Sequence, residues 1–335
     1  MSTNLPAALA TANRAAVGAS PRDPLFQRDK LTVFRYRPTA RPLPAAPVLI
    51  VYALVNRPYM LDLQPDRSLI RGLLTAGLDV YLIDWGYPDG ADRFMTLQDY
   101  LEDYLHSCVA AVLSSANAAS LNLLGVCQGG TFSVCYSALH PERVRNLITM
   151  VTPIDFQTPA DLLSKWVRDI DLAAWIGEGN ASGETLNQIF LSLLPFRLLQ
   201  QKYVHLLSGP AEPQQLENFM RMERWIFDCP DLAGAALREF VGWFYQENRL
   251  VRGTLQIGGR TVDLHAVTQP ILNLYGKRDH LVPPAASAAL EHLTGSRDYS
   301  GHELDLGHIG MYVSQRAQQQ VPPLIARWLT YKRRR

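Results

Sequence analysis

The pentapeptide Gly125-Val126-Cys127-Gln128-Gly129 sets a thiol between two glycines, each two residues away. Residues 121–125 read as a buried strand and residues 131–139 as a helix that stops before Pro141. A thiol on the turn between them has the context of a nucleophile elbow. The reacting residue there adopts a strained backbone, and Cβ atoms two residues to either side would strike neighbouring chain. The amides that open the helix favour the thiolate, the reactive form. Of the four cysteines in the chain, Cys108 and Cys135 fall on apolar helical faces and Cys229 precedes Pro230, positions that read as inert packing.

A thiol nucleophile on such a turn needs an orienting carboxylate and a basic histidine later in the chain, in that order. Asp279 follows the apolar strand pattern of residues 271–275, and His308 follows the last short strand, in Leu306-Gly307-His308-Ile309-Gly310. Asp305 is the rival acid, but it lies too near the histidine to come from a separate strand. His302 is the rival base, and it falls inside a strand-like alternation. His106, His140, His205, His265, His280 and His292 have no comparable setting and read as surface or core residues. Two amides must stabilise the oxyanion: that of Gln128, next after the nucleophile, and one from the loop after strand 48–52, with Val55 or a direct neighbour as donor.

Cysteine in place of serine bears on the reaction. Moving an acyl group from a thioester onto Cys127 conserves a thioester, so the step is close to thermoneutral and the intermediate stays activated toward an alcohol. This suits acyl transfer from coenzyme A into an oxygen ester, with cysteine hydrolysis on the same architecture as the alternative. There is no P-loop and no dinucleotide glycine pattern, and His302-Glu303 lacks the second histidine that a zincin needs, so neither a cofactor nor a metal is expected.

The elements that must position these residues alternate strand and helix. Strand-like runs at 31–37, 48–52, 78–84, 121–125, 144–151, 271–275 and 299–304 are separated by helical patterns at 66–76, 96–113 and 131–139, with later helices from about Pro283 and Pro322. The pattern predicts an α/β fold with a largely parallel sheet. Between residues 153 and 268 the rhythm changes to amphipathic helices rich in aromatics, including Trp166, Trp175, Phe190, Phe196, Tyr203, Trp225, Phe227, Phe240 and Phe244, with a hairpin around Gly258-Gly259. The expected organisation is a flexible leader over 1–28, one α/β unit from 29–152 and 269–335, and an inserted helical cap over 153–268.

Composition limits the remaining classes. A net charge of +1 with 47% hydrophobic and 19% charged residues describes a well-cored globular chain, and it offers no field for polyanions, so nucleic acid is not expected as a partner. The longest apolar stretch, 48–55, falls short of the roughly 18 residues of a membrane span. Nothing in residues 1–20 reads as a secretory signal, and the cysteine spacing shows neither a disulfide framework nor a zinc site, so a reducing cytoplasm fits. The basic run 332–335 reads as a solvated tail.

Several strings together resemble the catalytic subunit of polyhydroxyalkanoate synthases of the short two-component kind, class III, with class IV close. They are residues 51–60 (VYALVNRPYM), 79–86 (DVYLIDWG), 125–130, 152–156 (TPIDF), 222–228 (MERWIFD), 279–284 (DHLVPP) and 307–314 (GHIGMYVS). The likeness runs from about Asp29 to Leu329, and the chain looks like the short form because it lacks a long N-terminal region. The resemblance implies an α/β-hydrolase fold and polymerisation of (R)-3-hydroxyacyl-coenzyme A into a growing polyester chain, with release of coenzyme A, at the surface of cytoplasmic granules. It also implies Cys127, Asp279 and His308 as nucleophile, acid and base, a second synthase subunit as partner, and a homodimer formed through the cap. Thioesterase, polyester depolymerase and granule-bound accessory protein are the competing readings. Leu306 departs from the family's pattern, where a glycine is expected, and Lys277-Arg278 sets two cations beside Asp279 that suit coenzyme A phosphates.

Overall fold

The computed structural model describes residues 17, 18, 20–41, 43, 45–192 and 213–333. Most of the leader, Phe196, Tyr203 and His205, and the last two residues of the basic tail lie outside the described residues. The centre is an eight-stranded sheet. Its strands are β1 (Arg22–Arg28), β2 (Leu31–Tyr36), β3 (Val48–Val51), β4 (Val80–Asp84), β5 (Leu121–Val126), β6 (Val144–Met150), β7 (Ile271–Gly276) and β8 (Tyr299–Leu304). They lie in the order β1-β2-β4-β3-β5-β6-β7-β8. The first two strands run antiparallel to their neighbours, and the strands from β4 to β8 pair in parallel.

Burial explains why the central strands read as continuous apolar runs. Every residue of β3 and β5 is buried, since helices cover both faces of the sheet. Val48 and Ile50 point to one layer of the core while Leu49 and Val51 point to the other, as the two-residue repeat of a strand requires. The first layer holds α1 (Leu69–Thr75) and the last long helix, Gln315–Arg333; the second holds α2 (His106–Ala116) and α3 (Gln128–Leu139).

Three elements differ from the sequence expectation. Residues 22–28 belong to strand β1 and not to a flexible leader, paired from Arg22 opposite Tyr36 to Arg28 opposite Leu31. This is an edge strand with no fully buried residue, so it has no hydrophobic alternation to read. The helical pattern of 96–113 divides into a wider π turn over Asp99–Leu105 and then α2, with Thr96 and Asp99 exchanging hydrogen bonds at its start. The last helix begins at Gln315, well before Pro322. Its buried stripe of Ala317, Val321, Ile325 and Leu329 is continuous across the prolines, and Pro322 packs where Gly72 leaves room for it.

Between β6 and β7 the chain leaves the sheet and forms helices at Leu162–Val167, Leu172–Ile176, Gly183–Ser192, Pro213–Phe227 and Gly234–Phe240, then a π turn at Val241–Gln246. Phe240 and Phe244 meet Phe156 and each other in a cluster of tilted and edge-on rings, and Phe240 also meets Phe132 of α3. The aromatic run of this segment is thus in part the packing that seats it on the α/β unit.

Candidate active site

Strand β5 leads directly into Cys127, whose φ of 55° and ψ of −127° belong to a region that L-residues rarely adopt. Close packing holds it there. A Cβ on Gly125 would lie 2.4 Å from the Gly130 Cα, and one on Gly129 would lie 2.2 Å from the Val51 carbonyl oxygen. Gly130, one residue beyond the pentapeptide, is equally constrained, since a Cβ would come within 1.8 Å of the Thr152 hydroxyl. The Cys127 amide donates to the Met150 carbonyl at 2.9 Å, which ties the turn to β6. The thiol is half-buried at the head of α3.

Asp279 and His308 stand on separate loops, past β7 and β8, and the structure brings them together. The Asp279 Oδ2 atom accepts the His308 Nδ1 proton at 2.7 Å, and its Oδ1 atom accepts the amides of Leu281 and Val282, each at 2.9 Å. Both side chains are buried. Burial alone would push the imidazole pKa down. The charges of Asp279 and Cys127 and the hydrogen bond to Asp279 outweigh it and raise the pKa to about 10. The rivals are placed elsewhere. Asp305 is exposed and pairs with Arg278 at 3.0 Å and Arg316 at 3.3 Å, while His302 sits within β8 opposite Leu274. Arg278 therefore turns toward Asp305. Leu306 is buried, and its carbonyl lies where a Cβ on Gly276 would come within 2.6 Å.

The loop after β3 faces the elbow. Its Leu54 amide donates to Gln128 Oε1 at 2.9 Å, and Asn56 adopts a φ of 60°. Between them the Val55 amide, like the Gln128 amide, has no acceptor among the described residues. Those are the two amides singled out in the sequence; of the direct neighbours of Val55, Leu54 has its proton on Gln128.

Sequence reasoning missed several groups around the thiol. Tyr52 and Tyr312 meet edge-on in the same core layer as Cys127, their ring centroids 6.5 Å apart, and burial pushes both phenols up, so they stay protonated. Tyr245, from the π turn, packs on Phe156. Cys229 is half-buried, and burial pushes its thiol up. Tyr52 directly follows β3, a position that could have flagged it; Tyr245 and Cys229 arrive from distant segments with no local signal. Burial keeps the Cys135 thiol up at about 12 and the Cys108 thiol higher still. Among the described residues no group of three or more His, Cys, Asp or Glu side chains could hold a metal ion, and no helix is long and apolar enough to cross a membrane.

Comparison with known proteins adds to this geometry. Residues 46–314 match the family model of the alpha/beta hydrolase fold, and residues 13–73 match that of the poly-beta-hydroxybutyrate polymerase (PhaC) N-terminus. The poly(3-hydroxyalkanoate) polymerase subunit PhaC of Allochromatium vinosum is 53% identical over 315 residues, covering 93% of this chain and 89% of that protein. The subunit of the same name from Thiocystis violacea is 50% identical over 323 residues, covering 96% and 91%. Among solved structures, the enol-lactonase of Burkholderia xenovorans LB400 superposes with a TM-score of 0.54 at 16% identity, covering 92% of this chain and all of that one. The last likeness shows the fold alone.

Proposed function

The chain belongs to the poly(3-hydroxyalkanoate) polymerase subunit PhaC family, polymerising acyltransferases on the α/β-hydrolase fold, and from that premise we propose that it links (R)-3-hydroxyacyl groups through a thioester on Cys127. The observation that carries the reading is one thiol, on a backbone strained to present it, beside a buried imidazole that Asp279 orients.

The steps follow from the protons. Against the lowering effect of burial, the charges of Asp279 and Cys127 raise the His308 pKa to about 10, so the imidazole serves as the base that takes the proton of the Cys127 thiol. The sulfur attacks the substrate's thioester carbonyl. Negative charge moves onto the carbonyl oxygen, where the Gln128 and Val55 amides receive it. Coenzyme A leaves and takes the proton from His308. Neutral His308 then removes the proton of a 3-hydroxyl group, whose oxygen attacks the acyl-Cys127 carbonyl. An oxygen ester forms, and the sulfur departs as thiolate beside the reprotonated imidazole. Asp279 stays ionised throughout and fixes the ring by its Nδ1 bond.

Residues 153–268 act in this reading as a cap over the thiol, supported by the hydrogen bonds of Trp225 to the Arg57 carbonyl and of Asp228 to Tyr59. Leu162, Trp166 and Ile170, exposed on that segment, suit a homodimer through the cap. A second synthase subunit and a place at the surface of cytoplasmic polyester granules complete the proposal, resting on the family alone. Replacing the nucleophile tests the reading. The Cys127→Ala variant is expected to release no coenzyme A from (R)-3-hydroxybutyryl-coenzyme A, and more than trace release would overturn it. Insoluble polyester from the unaltered protein supports a synthase, and free 3-hydroxy acid a hydrolase.

A further inference from the structure

The loop that carries Val55 is held from three sides, and one of them is the cap. From the elbow, Gln128 Oε1 accepts the Leu54 amide at 2.9 Å. From the sheet edge, the Trp85 indole donates to the Tyr52 carbonyl at 2.9 Å, and Arg57 donates to Asp84 and to the Gly86 carbonyl, each at 2.7 Å. From the cap come three hydrogen bonds within residues 225–228. The buried Trp225 indole donates to the Arg57 carbonyl at 2.8 Å. Asp228 accepts the hydroxyls of Tyr59 at 2.9 Å and Tyr87 at 2.8 Å, the latter ring lying over the Arg57 guanidinium.

We propose that residues 225–228 of the cap position the oxyanion loop, so that seating the cap on the α/β unit completes the hole at Val55. The inference rests on the reading of Val55 and Gln128 as oxyanion donors. The Leu54–Gln128 bond is made within the α/β unit. On the other side of Val55, the Arg57 carbonyl takes its bond from the cap. A loop held on both sides of a peptide plane limits its rotation more than one held on a single side, and an oxyanion donor stabilises charge only if it is aimed before the charge develops. Trp225 and Asp228 are thus positioning residues. They act on the transition state through Val55 and leave ground-state binding alone.

The test separates acyl transfer from reactions that need no oxyanion. Alkylation of Cys127 by iodoacetamide uses the same thiolate but develops no charge on a carbonyl oxygen. Trp225→Phe keeps the ring and deletes the indole proton; it is expected to lower kcat for coenzyme A release by about 10-fold or more, toward the loss seen when an oxyanion donor is removed. KM and the alkylation rate are expected to stay within about twofold, the margin of a contact that does not touch substrate. Tyr59→Phe, which removes one hydroxyl from Asp228, is the milder second variant, expected to shift kcat in the same direction with alkylation unchanged. If alkylation falls in parallel with kcat in both variants, or KM alone changes, or kcat stays at the original value, the proposal is overturned. Val55→Pro, which removes the amide proton, keeps the two levels apart. Full activity in Val55→Pro removes the donor assignment itself, whereas an impaired Val55→Pro beside a fully active Trp225→Phe removes only the role of the cap.

Discussion

The two sides of the thiol are built by different means. On the elbow side, Cys127 is set by backbone and by the absence of side chains at Gly125, Gly129 and Gly130, where any Cβ would fall within 2.7 Å of another atom. On the cap side, the loop from Tyr52 to Tyr59 is held by side-chain hydrogen bonds from Trp85, Gln128, Trp225 and Asp228. Close packing has one solution and no slack, while hydrogen bonds between side chains can be made and broken at modest net cost. The nucleophile is fixed as part of the core; the loop opposite is the part whose position depends on what covers it.

The largest effect is expected where the rigid side meets the proton chemistry. In Asp279→Asn one of the two acceptor oxygens becomes a donating NH2, which cannot accept the His308 proton while the other oxygen holds the Leu281 and Val282 amides; the imidazole loses its orientation, and kcat is expected to fall on the order of 10⁴-fold. The same variant carries a pH signature. The His308 pKa stands at about 10 against an ordinary 6.5, raised by the charges of Asp279 and Cys127 against the opposing effect of burial. The folded state thus binds the proton more tightly than the unfolded one. Its contribution to stability is full below the ordinary pKa and drains away as pH rises toward the folded one. Thermal melts between pH 7 and 10 should show the unaltered protein losing Tm more steeply than Asp279→Asn. A slope that the variant leaves intact would detach His308 from Asp279.

A smaller effect, confined to the packed side, is expected from Gly129→Ala. Its new methyl would stand 2.2 Å from the Val51 carbonyl oxygen and 2.6 Å from that of Tyr52, backbone atoms that cannot move aside cheaply. About 3 kcal/mol of stability should be lost, with displacement of the elbow. Denaturant unfolding measures the first and iodoacetamide labelling of Cys127 the second. A variant of unchanged stability would show that the elbow has slack, and the contrast between the two sides would dissolve.

The same contrast accounts for what the sequence could and could not say. The thiol, acid and histidine were legible because each stands where a local rule puts it. Glycines mark the strained turn, Asp279 follows the plain apolar run of Ile271–Gly276, and His308 follows the short alternating strand Tyr299–Leu304. The α/β alternation was legible for the same reason, since the fully buried strand Val48–Val51 carries no polar residue. Where burial is partial the signal fades, as at the edge strand Arg22–Arg28. The Gln315–Arg333 helix began earlier than its prolines suggested because tertiary burial of Ala317 and Val321 overrides the local preference. The hydrogen bonds of the cap follow no local rule. Trp225 and Asp228 stood out only as part of a recurring string, and their partners Arg57, Tyr59 and Tyr87 lie far back in the chain.

The smallest effect sharpens the comparison from its other end. Tyr87 is half-exposed, and its hydroxyl is one of two that Asp228 accepts, the other coming from the more enclosed Tyr59. Water can replace the Tyr87 hydroxyl on that carboxylate, so Tyr87→Phe should cost no more than about 0.5 kcal/mol and change kcat by less than about twofold. The ring stays over the Arg57 guanidinium, 4.0 Å from its centroid, so the cation–π contact is retained. A larger loss in Tyr87→Phe than in Tyr59→Phe would mean that the solvent-facing hydroxyl carries the latch. The loop would then be held from its rim, and the buried bond of Trp225 to the Arg57 carbonyl would lose its place as the support of Val55.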